Sequence, residues 1–527
     1  MQYPDISLIF PDGHPALNNC QKRIRIRFKI QCSREKSMDR KKPGEYDGER
    51  KKENDEKENI LSMERKNAWS MYDEKQLEQL EKVSEEYRRF LSEAKTEREC
   101  AALVVKMAEK KGYRSLEKLL EEGKTLQAGD KVYAMHKKKL VILYHIGKKP
   151  MEEGMNILGA HMDSPRLDLK QNPLYEDGEM ALLETHYYGG IKKYQWAAIP
   201  LALHGVVAKK DGTVLELSIG ENPEDPVLGI SDLLIHLSAE QLQKKAAVVV
   251  EGENLNIIVG SRPIKEEEED KEKKEKIKSA LLKLLEEEFG MEEEDFLSAE
   301  LEAVPAGPAR DFGLDRSMIM GYGQDDRICA FTSLLAHLEV EDPLYTSVCL
   351  LTDKEEIGSM GATGMQSRYF ENSTAEVMQR TGGYSELALR RCLQRSHMLS
   401  SDVSAAFDPN YASAFEKKNA AYLGKGMVFN KYTGSRGKSG SNDACAEYIG
   451  ALRRILDDAG VCWQTAELGK VDQGGGGTIA YITANYGMDV IDSGVALLNM
   501  HSPWEVSSKA DIYEAYRGYK AFLRAEW

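Results

Sequence analysis

The sequence predicts an α/β fold in which a mostly parallel sheet, flanked by helices, carries an inserted β-rich domain. Three observations predict it. Short apolar runs alternate with amphipathic helical patterns in residues 63–169, and again from about Pro305 onward. Between them, residues 170–304 hold closely spaced β-rich runs. Finally, several apolar runs end in His, Asp or Glu, at the place where an open α/β sheet presents ligands. The expected organisation is therefore residues 1–62 apart, 63–169 and 305–527 as two parts of one α/β domain, and 170–304 as the insertion.

From Ser33 to Asn59 the chain is almost wholly polar, with mixed charges and no apolar period. Such a stretch buries too little apolar surface to offset its ordering entropy. Two readings of residues 1–62 stay open: a disordered arm, or a mis-assigned leader upstream of a true start at Met63. From Tyr72 to Lys110, Leu77, Leu80, Val83, Tyr87 and Leu91, then Ala101, Val104 and Met107, recur at helical spacing. This predicts two helices broken near Thr96, whose hydroxyl suits a helix start. Strands are expected at Lys139–Ile146 and Asn156–Met162. In the insertion, LALHGVVAKKDGTVLELSIG reads as a hairpin turning at Asp211-Gly212, with further strands in AAVVVEG and LNIIVGS. The charged run Lys265–Lys278 reads as a solvated loop or helix face, and Ile277–Phe289 as an amphipathic helix. Beyond Pro305 the pattern gives a strand, a helix at Arg327–Leu338, a strand at Ser347–Asp353 and a helix in the Gly364–Tyr369 region. A strand near His397–Ser401 and a helix at Asn442–Ala459 follow. The chain closes with a strand in VCWQTAEL, the loop DQGGGGT, a helix at Ile479–Tyr486 and a last strand through Val490–Met500.

The formal net charge of −15 argues against nucleic acid and anionic membrane surfaces as partners. No 18-residue uncharged apolar run is present, so no membrane span is expected. At the N-terminus, SLIF is too short for a signal-peptide core and RIRIRFKI follows it. The eight cysteines form no CxxC pair, and those at 329, 349, 392 and 445 lie among apolar or small neighbours. Buried free thiols in a reducing cytoplasm are expected.

Five segments carry the chemistry: GAHMDSP (His161, Asp163), GYGQDDR (Asp325, Asp326), LLTDKEEIGSMGA (Glu355, Glu356), LSSDVSAAF (Asp402) and LLNMHSP (His501). Two imidazoles and several carboxylates make a site suited to Zn, Co or Mn. Two residues beyond His161, Asp163 can accept from the other imidazole nitrogen and fix the tautomer. In its Gly-flanked turn, Asp325 can bridge two cations. Glu355 and Glu356 are costly as a purely structural pair, a cost that a nearby dication removes; Glu356 as ligand and Glu355 as general base fits. Singly, each segment has an ordinary alternative: a satisfied core His, an Asp helix cap, an acidic helix start, a plain loop. The DQGGGGT backbone could bind a carbonyl or carboxylate, or be a flexible turn.

In this order, with the runs DKEEIGS and YTGSRGKSGSND, the segments resemble those of the aspartyl-aminopeptidase-like zinc metallopeptidases of bacterial M18 type. The resemblance runs from about Met63 to Trp527. It implies a dinuclear zinc exopeptidase-like fold and two divalent ions, with His161 and Asp402 on one, Glu356 and His501 on the other, and Asp325 bridging. Glu355 would be the general acid/base and Asp163 the partner of His161. It implies release of N-terminal residues from peptide substrates, and a homo-oligomer dimerised through the inserted domain into a tetrahedral dodecamer. A co-catalytic deacylase or carboxypeptidase, or a non-catalytic assembly protein on the same fold, are the alternatives. Two positions depart from the family pattern. Where some members carry P-H-L-x-I-H-L, reaching a neighbouring active site, this chain has SDLLIHL, with Asp232 for the first His and His236 retained. The family's lysine for acidic substrates stands near Gly-x-V; in GMVFNKYTG, Lys431 is offset by one position. His236 and Lys431 are carried as substrate-contacting candidates, and the chain is closer to bacterial members of neutral or apolar preference.

Overall fold

A computed structural model describes residues 65–264 and 275–527. The expected leader and the proposed start at Met63 lie outside these residues, as does most of the charged run Lys265–Lys278. Residues from Lys66 to Trp527 make one compact unit.

Its centre is a nine-stranded mixed sheet. Four strands at its middle run parallel, in the order Thr346–Thr352, Met155–His161, His397–Ser401 and Asp489–Gly494. Three of these are the strands that lead into His161, Glu355 and Asp402. Their composition explains their place: ILGA and VCLL are near-continuous apolar runs, as strands covered on both faces must be. Alternate side chains enter two different cores. Leu158, Leu351 and Leu399 pack with the helices Glu74–Glu93, Gln324–Leu338 and Lys509–Leu523. Ile157, Leu350 and Met398 pack on the opposite face with the helices Tyr369–Arg380 and Glu386–Gln394.

Two helix starts follow from capping. Asp73 accepts from the Gln76 N–H while the Gln76 side chain accepts from Asp73. Thr96 and Glu99 form the same box at the start of Glu97–Lys110, at the expected break.

The strands between Arg166 and Pro305 form a separate six-stranded antiparallel sheet, covered by the amphipathic helix Lys276–Phe289. The hairpin at Asp211-Gly212 joins Leu201–Ala208 to Val214–Ile219 as expected. A third sheet of five strands contains Met318–Gly321, Glu505–Ser508 and Ala496–Leu498 side by side.

Four sequence expectations are corrected. AAVVVEG is no strand: Ala246–Val248 is a short 3₁₀ turn, while Ile257–Gly260, within the expected LNIIVGS, forms the sheet's edge strand. The helix expected near Gly364 begins at Tyr369; a Cβ on Gly364 would lie 2.3 Å from the Ser359 carbonyl oxygen, so a tight turn fills this stretch. The last strand is two, Asp489–Gly494 in the central sheet and Ala496–Leu498 in the third. They part at Gly494, where the Asp402 backbone approaches too closely for any side chain. Cys445 is exposed, whereas Cys329, Cys349 and Cys392 are buried free thiols as expected, and Cys100 with them. The helix Lys509–Leu523 escaped notice because it is buried on most sides, its Lys509, Asp511 and Glu514 as well as Ala510, Ile512, Ala515, Tyr519 and Phe522, which blurs the apolar stripe a surface helix shows.

The insertion is tied down by a buried ionic cluster. His204, on its sheet, faces Glu99 at 2.8 Å through Nδ1 and Glu221 at 3.2 Å through Nε2. Lys95 Nζ lies 3.4 Å from the same Glu221 and donates to the Pro305 and Gly307 carbonyls. Burial alone would depress His204, but Glu221 and Glu99 outweigh it and raise its pKa. A raised histidine stabilises fully below its unfolded value, about 6.5, and loses that contribution as pH rises through the folded value. His204→Gln is therefore expected to cost about 1.5–3 kcal/mol at pH 6. Denaturant unfolding of both proteins from pH 6 to 9 should show the gap narrowing as pH rises.

Candidate metal centre

The five acidic and histidine segments converge on one cavity of about 430 Å³ at the carboxyl ends of the central strands. Asp325, Glu355, Glu356, Asp402 and His501 line it. His161, 2% exposed, adjoins that lining through Asp325 and Glu355.

Asp325 stands between the two imidazoles. Its Oδ1 is 3.3 Å from His161 Nε2 and its Oδ2 is 3.1 Å from His501 Nε2. Glu356 Oε1 lies 3.4 Å from His501 Nε2, and Glu355 Oε2 lies 3.9 Å from His161 Nε2. Ligand atoms of His161, Glu355 and Asp402 fall within 4.8 Å of one another, as do those of His161, Asp325 and Glu356, and of Asp325, Asp326 and Asp402. The helix-cap alternative for the Asp pair does not apply. Gly323 occupies the cap at φ +72°, and a Cβ there would overlap the Arg327 guanidinium, so glycine is required. Both Asp residues have non-helical backbone angles, which turn Asp325 toward the imidazoles.

Local structure fixes each group. His161 Nδ1 is 2.9 Å from the Asp163 carbonyl oxygen and 3.3 Å from its carboxylate, so Nε2 is left to face the cavity. The Asp163 carboxylate also accepts from the Glu355 and Glu356 N–H groups, at 3.1 and 3.2 Å, and from the Tyr188 hydroxyl at 2.8 Å. One buried side chain thus orients the histidine and the acidic turn together. His501 has a left-handed backbone, φ +65°, which costs a non-glycine residue about 1–3 kcal/mol. Its Nδ1 donates to the Gly190 carbonyl at 2.9 Å, again presenting Nε2 to the cavity.

The donor set fits divalent metal. Buried Asp325 Oδ1, Asp326 Oδ1 and Glu356 Oε1 have no hydrogen-bond partner, and buried carboxylate oxygens without partners are costly unless a cation faces them. Carboxylates mixed with imidazole suit zinc. The crowding is visible in the titration of the groups. Burial, against the pull of His161, raises Glu355 to about 7, with the Asp163 and Asp325 charges adding. Burial likewise holds Glu356 and Asp402 well above the usual carboxylate range. Burial alone would depress His161, but Asp163 and Asp325 raise it.

The remaining sequence candidates lie elsewhere. Lys431 is half exposed and paired with Asp443, off the cavity wall that Asn430 and Thr433 form. His236 is exposed on the insertion, beside Ile235 and Leu237. The glycine loop does line the cavity with Gly475, Gly476 and Gly477. The helix beyond it is only Ala480–Ala484, and the Gly476 N–H is already bonded to the Thr433 carbonyl.

Sequence reasoning missed three buried groups at this site: Tyr188, Asp492 and Glu505. Asp492 lines the cavity, accepts from Thr478 at 2.5 Å, and is raised to about 7 by burial. Glu505 accepts from the N–H groups of His501 and Asp325, at 2.9 and 3.1 Å. The one available signal for it was an acidic residue heading the strand-like run EVSS, four positions after His501.

A family model for aminopeptidase I zinc metalloproteases (M18) matches residues 90–523. A probable M18 family aminopeptidase 1 of Clostridium acetobutylicum is 63% identical over 465 residues, covering 88% of this chain and 99% of its own. The crystal structure of aminopeptidase I from Clostridium acetobutylicum is similar at a TM-score of 0.82 and 60% identity, covering 88% of this chain and 100% of that one. An M18 aminopeptidase from Thermotoga maritima is similar at 0.83 and 45% identity, with the same coverage. The S. cerevisiae mApe1 dodecamer shares the fold at a TM-score of 0.66 and 19% identity, over 84% of this chain and 96% of that one.

Asp163→Asn leaves one acceptor oxygen where several donors converge, stranding at least one buried N–H or O–H. In metal-stripped protein it is expected to cost about 1–3 kcal/mol, read by urea denaturation.

Proposed function

This chain belongs to the M18 family of zinc aminopeptidases, and from that premise we propose that it removes N-terminal residues from peptides at a two-ion centre with Glu355 as general base. The observation that carries the two-ion reading is Asp325, whose carboxylate oxygens each face a different imidazole, at 3.3 and 3.1 Å. His161 and Asp402 would hold one ion, Glu356 and His501 the other, and Asp325 both. When bound, such ions supply Lewis acidity, which activates water near neutral pH and polarises the scissile carbonyl.

The chain's own residues do the rest. Glu355 accepts the proton of the attacking water at its carboxylate and returns it to the departing amine. Its raised pKa, about 7, suits a group that must do both. Asp163 positions Glu355 through the backbone N–H and His161 through Nδ1. The acidic wall, including Asp492, attracts the free α-ammonium of a peptide. Val403, Leu468 and Met500 line the same cavity while Lys431 is engaged by Asp443, which supports neutral or apolar first residues over acidic ones.

Self-association is part of the proposal. The insertion exposes Leu234, Ile235 and Leu237 at 54, 68 and 67%, an apolar patch of the kind that another subunit covers. The S. cerevisiae relative is described as a dodecamer. Buried free thiols support a reducing, cytoplasmic setting, and among the described residues no helix is long and apolar enough to cross a membrane.

Chelation should abolish hydrolysis of aminoacyl-anilides, and zinc, cobalt or manganese should restore it, with two ions per chain by elemental analysis. Glu355→Gln is expected to lower kcat about 100- to 10,000-fold with both ions retained; full activity in that variant would remove Glu355 as the base. Across an anilide panel, leucyl and methionyl substrates should exceed aspartyl and glutamyl ones. An N-acetylated peptide should not be cut, and its cleavage would point to a deacylase.

A further inference from the structure

We infer that Glu505 is a positioning residue that sets the spacing of the two ion sites by clamping the backbones of Asp325 and His501 on one carboxylate. The inference rests on the two-ion reading above and adds to it what holds the ligands in register.

Asp325 and His501 are far apart in sequence and leave different strands. Asp325 follows Met318–Gly321, and His501 follows Ala496–Leu498. The strand Glu505–Ser508 lies between these two, antiparallel to both, with Glu505 opposite Gly321 and Val506 opposite Leu498. Glu505 therefore sits where the two ligand loops begin to diverge. Its Oε1 accepts the His501 N–H at 2.9 Å and its Oε2 accepts the Asp325 N–H at 3.1 Å. The side chain is 1% exposed, so water does not compete for either bond.

The backbone of the same residue is fastened as well. The side-chain amide of Gln324, next to Asp325, donates to the Glu505 backbone carbonyl at 2.7 Å, and its side-chain oxygen accepts from the Ser507 hydroxyl at 2.5 Å. Two features show that the clamp bears on geometry. His501 is held in a left-handed conformation, which persists only where the surroundings dictate it. And two N–H donors converge on a single side chain, which a carboxylate accepts with one on each oxygen. An amide offers one acceptor and two donors, so Glu505→Gln must release one of the two backbones. Because His501 and Asp325 Oδ2 face each other at 3.1 Å, the ion shared by His501, Glu356 and Asp325 takes the larger effect.

The test is zinc binding to full-length protein, by titration against a competing chelator, with the visible spectrum of the cobalt-loaded form as a second readout. Glu505→Gln is expected to weaken one of two ions about 10- to 100-fold, leave the other within about twofold, and alter the cobalt spectrum. Glu505→Asp, which keeps both acceptors on a shorter stem, should lose less, and it carries the test if the glutamine variant does not fold. Glu514→Gln is the control. Glu514 is also a fully buried carboxylate accepting a backbone N–H, that of Cys462, but away from the cavity; its loss should lower thermal stability with both affinities intact. Unchanged affinities in Glu505→Gln, or equal weakening of both ions alongside a fall in melting temperature, overturn the inference while the two-ion reading stands. A wild-type chain that binds no second ion overturns that reading, and the clamp with it.

Discussion

Mutual repulsion among buried carboxylates is the constraint on which this molecule turns. Asp163, Asp325, Asp326, Glu355, Glu356, Asp402 and Glu505 crowd one end of the central sheet, and most are fully or nearly out of water. Burying one such charge is costly, and burying several together is more so. Two imidazoles cannot balance that density. Backbone N–H groups relieve part of it, those of Glu355, Glu356, His501 and Asp325 each ending on a carboxylate. The rest is what a bound dication would relieve, and the family is one of zinc metalloproteases. Seen this way, the sheet order is a way of holding like charges together: three adjacent parallel strands bring their ends to one place, and the strong apolar packing on both faces withstands the repulsion concentrated there.

Much of this was legible in the sequence. Strands such as Met155–His161 and His397–Ser401 announce themselves because apolar runs stop abruptly at a histidine or an aspartate. The break at Thr96 was readable because capping is a local interaction spanning four residues. The family resemblance then supplied the grouping of ligands that no single segment could. What escaped has a common physical origin. Tyr188, Asp492 and Glu505 act through tertiary contacts, Tyr188 on Asp163, Asp492 on Thr478 and Glu505 on Asp325, and apart from the acidic start of EVSS little in their immediate neighbours distinguishes them from ordinary strand residues. The splitting of the last strand at Gly494 follows from a close approach of the Asp402 backbone, a tertiary contact with no local trace. AAVVVEG misled because β propensity alone, without a partner strand in the fold, does not make a strand.

Lys431 shows a related limit. Its position near a recognisable motif suggested contact with substrate, yet its charge is engaged by Asp443, which also holds Lys438. A cation's proximity in sequence to a motif says little about where its charge is spent. The cavity that results is acidic at Asp325, Glu355, Glu356, Asp402 and Asp492 and is elsewhere lined by a mixture of apolar side chains, hydroxyls and glycine backbone, so discrimination among substrates falls to the shape and polarity of its wall.

The insertion enters and leaves through neighbouring strands. Arg166–Asp177 begins just after the His161 segment, Ala299–Pro305 returns beside it, and Asp168 pairs with Glu302 across the two. The inserted sheet thus joins the rest of the chain by a two-stranded stem, and it is fastened again through His204 to Glu99, through Tyr188 to Asp163 and through the Gly190 carbonyl to His501. Tyr188 and Gly190 reach the carboxylate cluster, whereas the exposed Leu234, Ile235 and Leu237 line no part of its cavity. An exposed surface of this kind can be trimmed or recharged while Tyr188 and Gly190 keep their bonds at the carboxylate cluster, so the inserted sheet serves two ends at once: one part steadies the site and another faces outward.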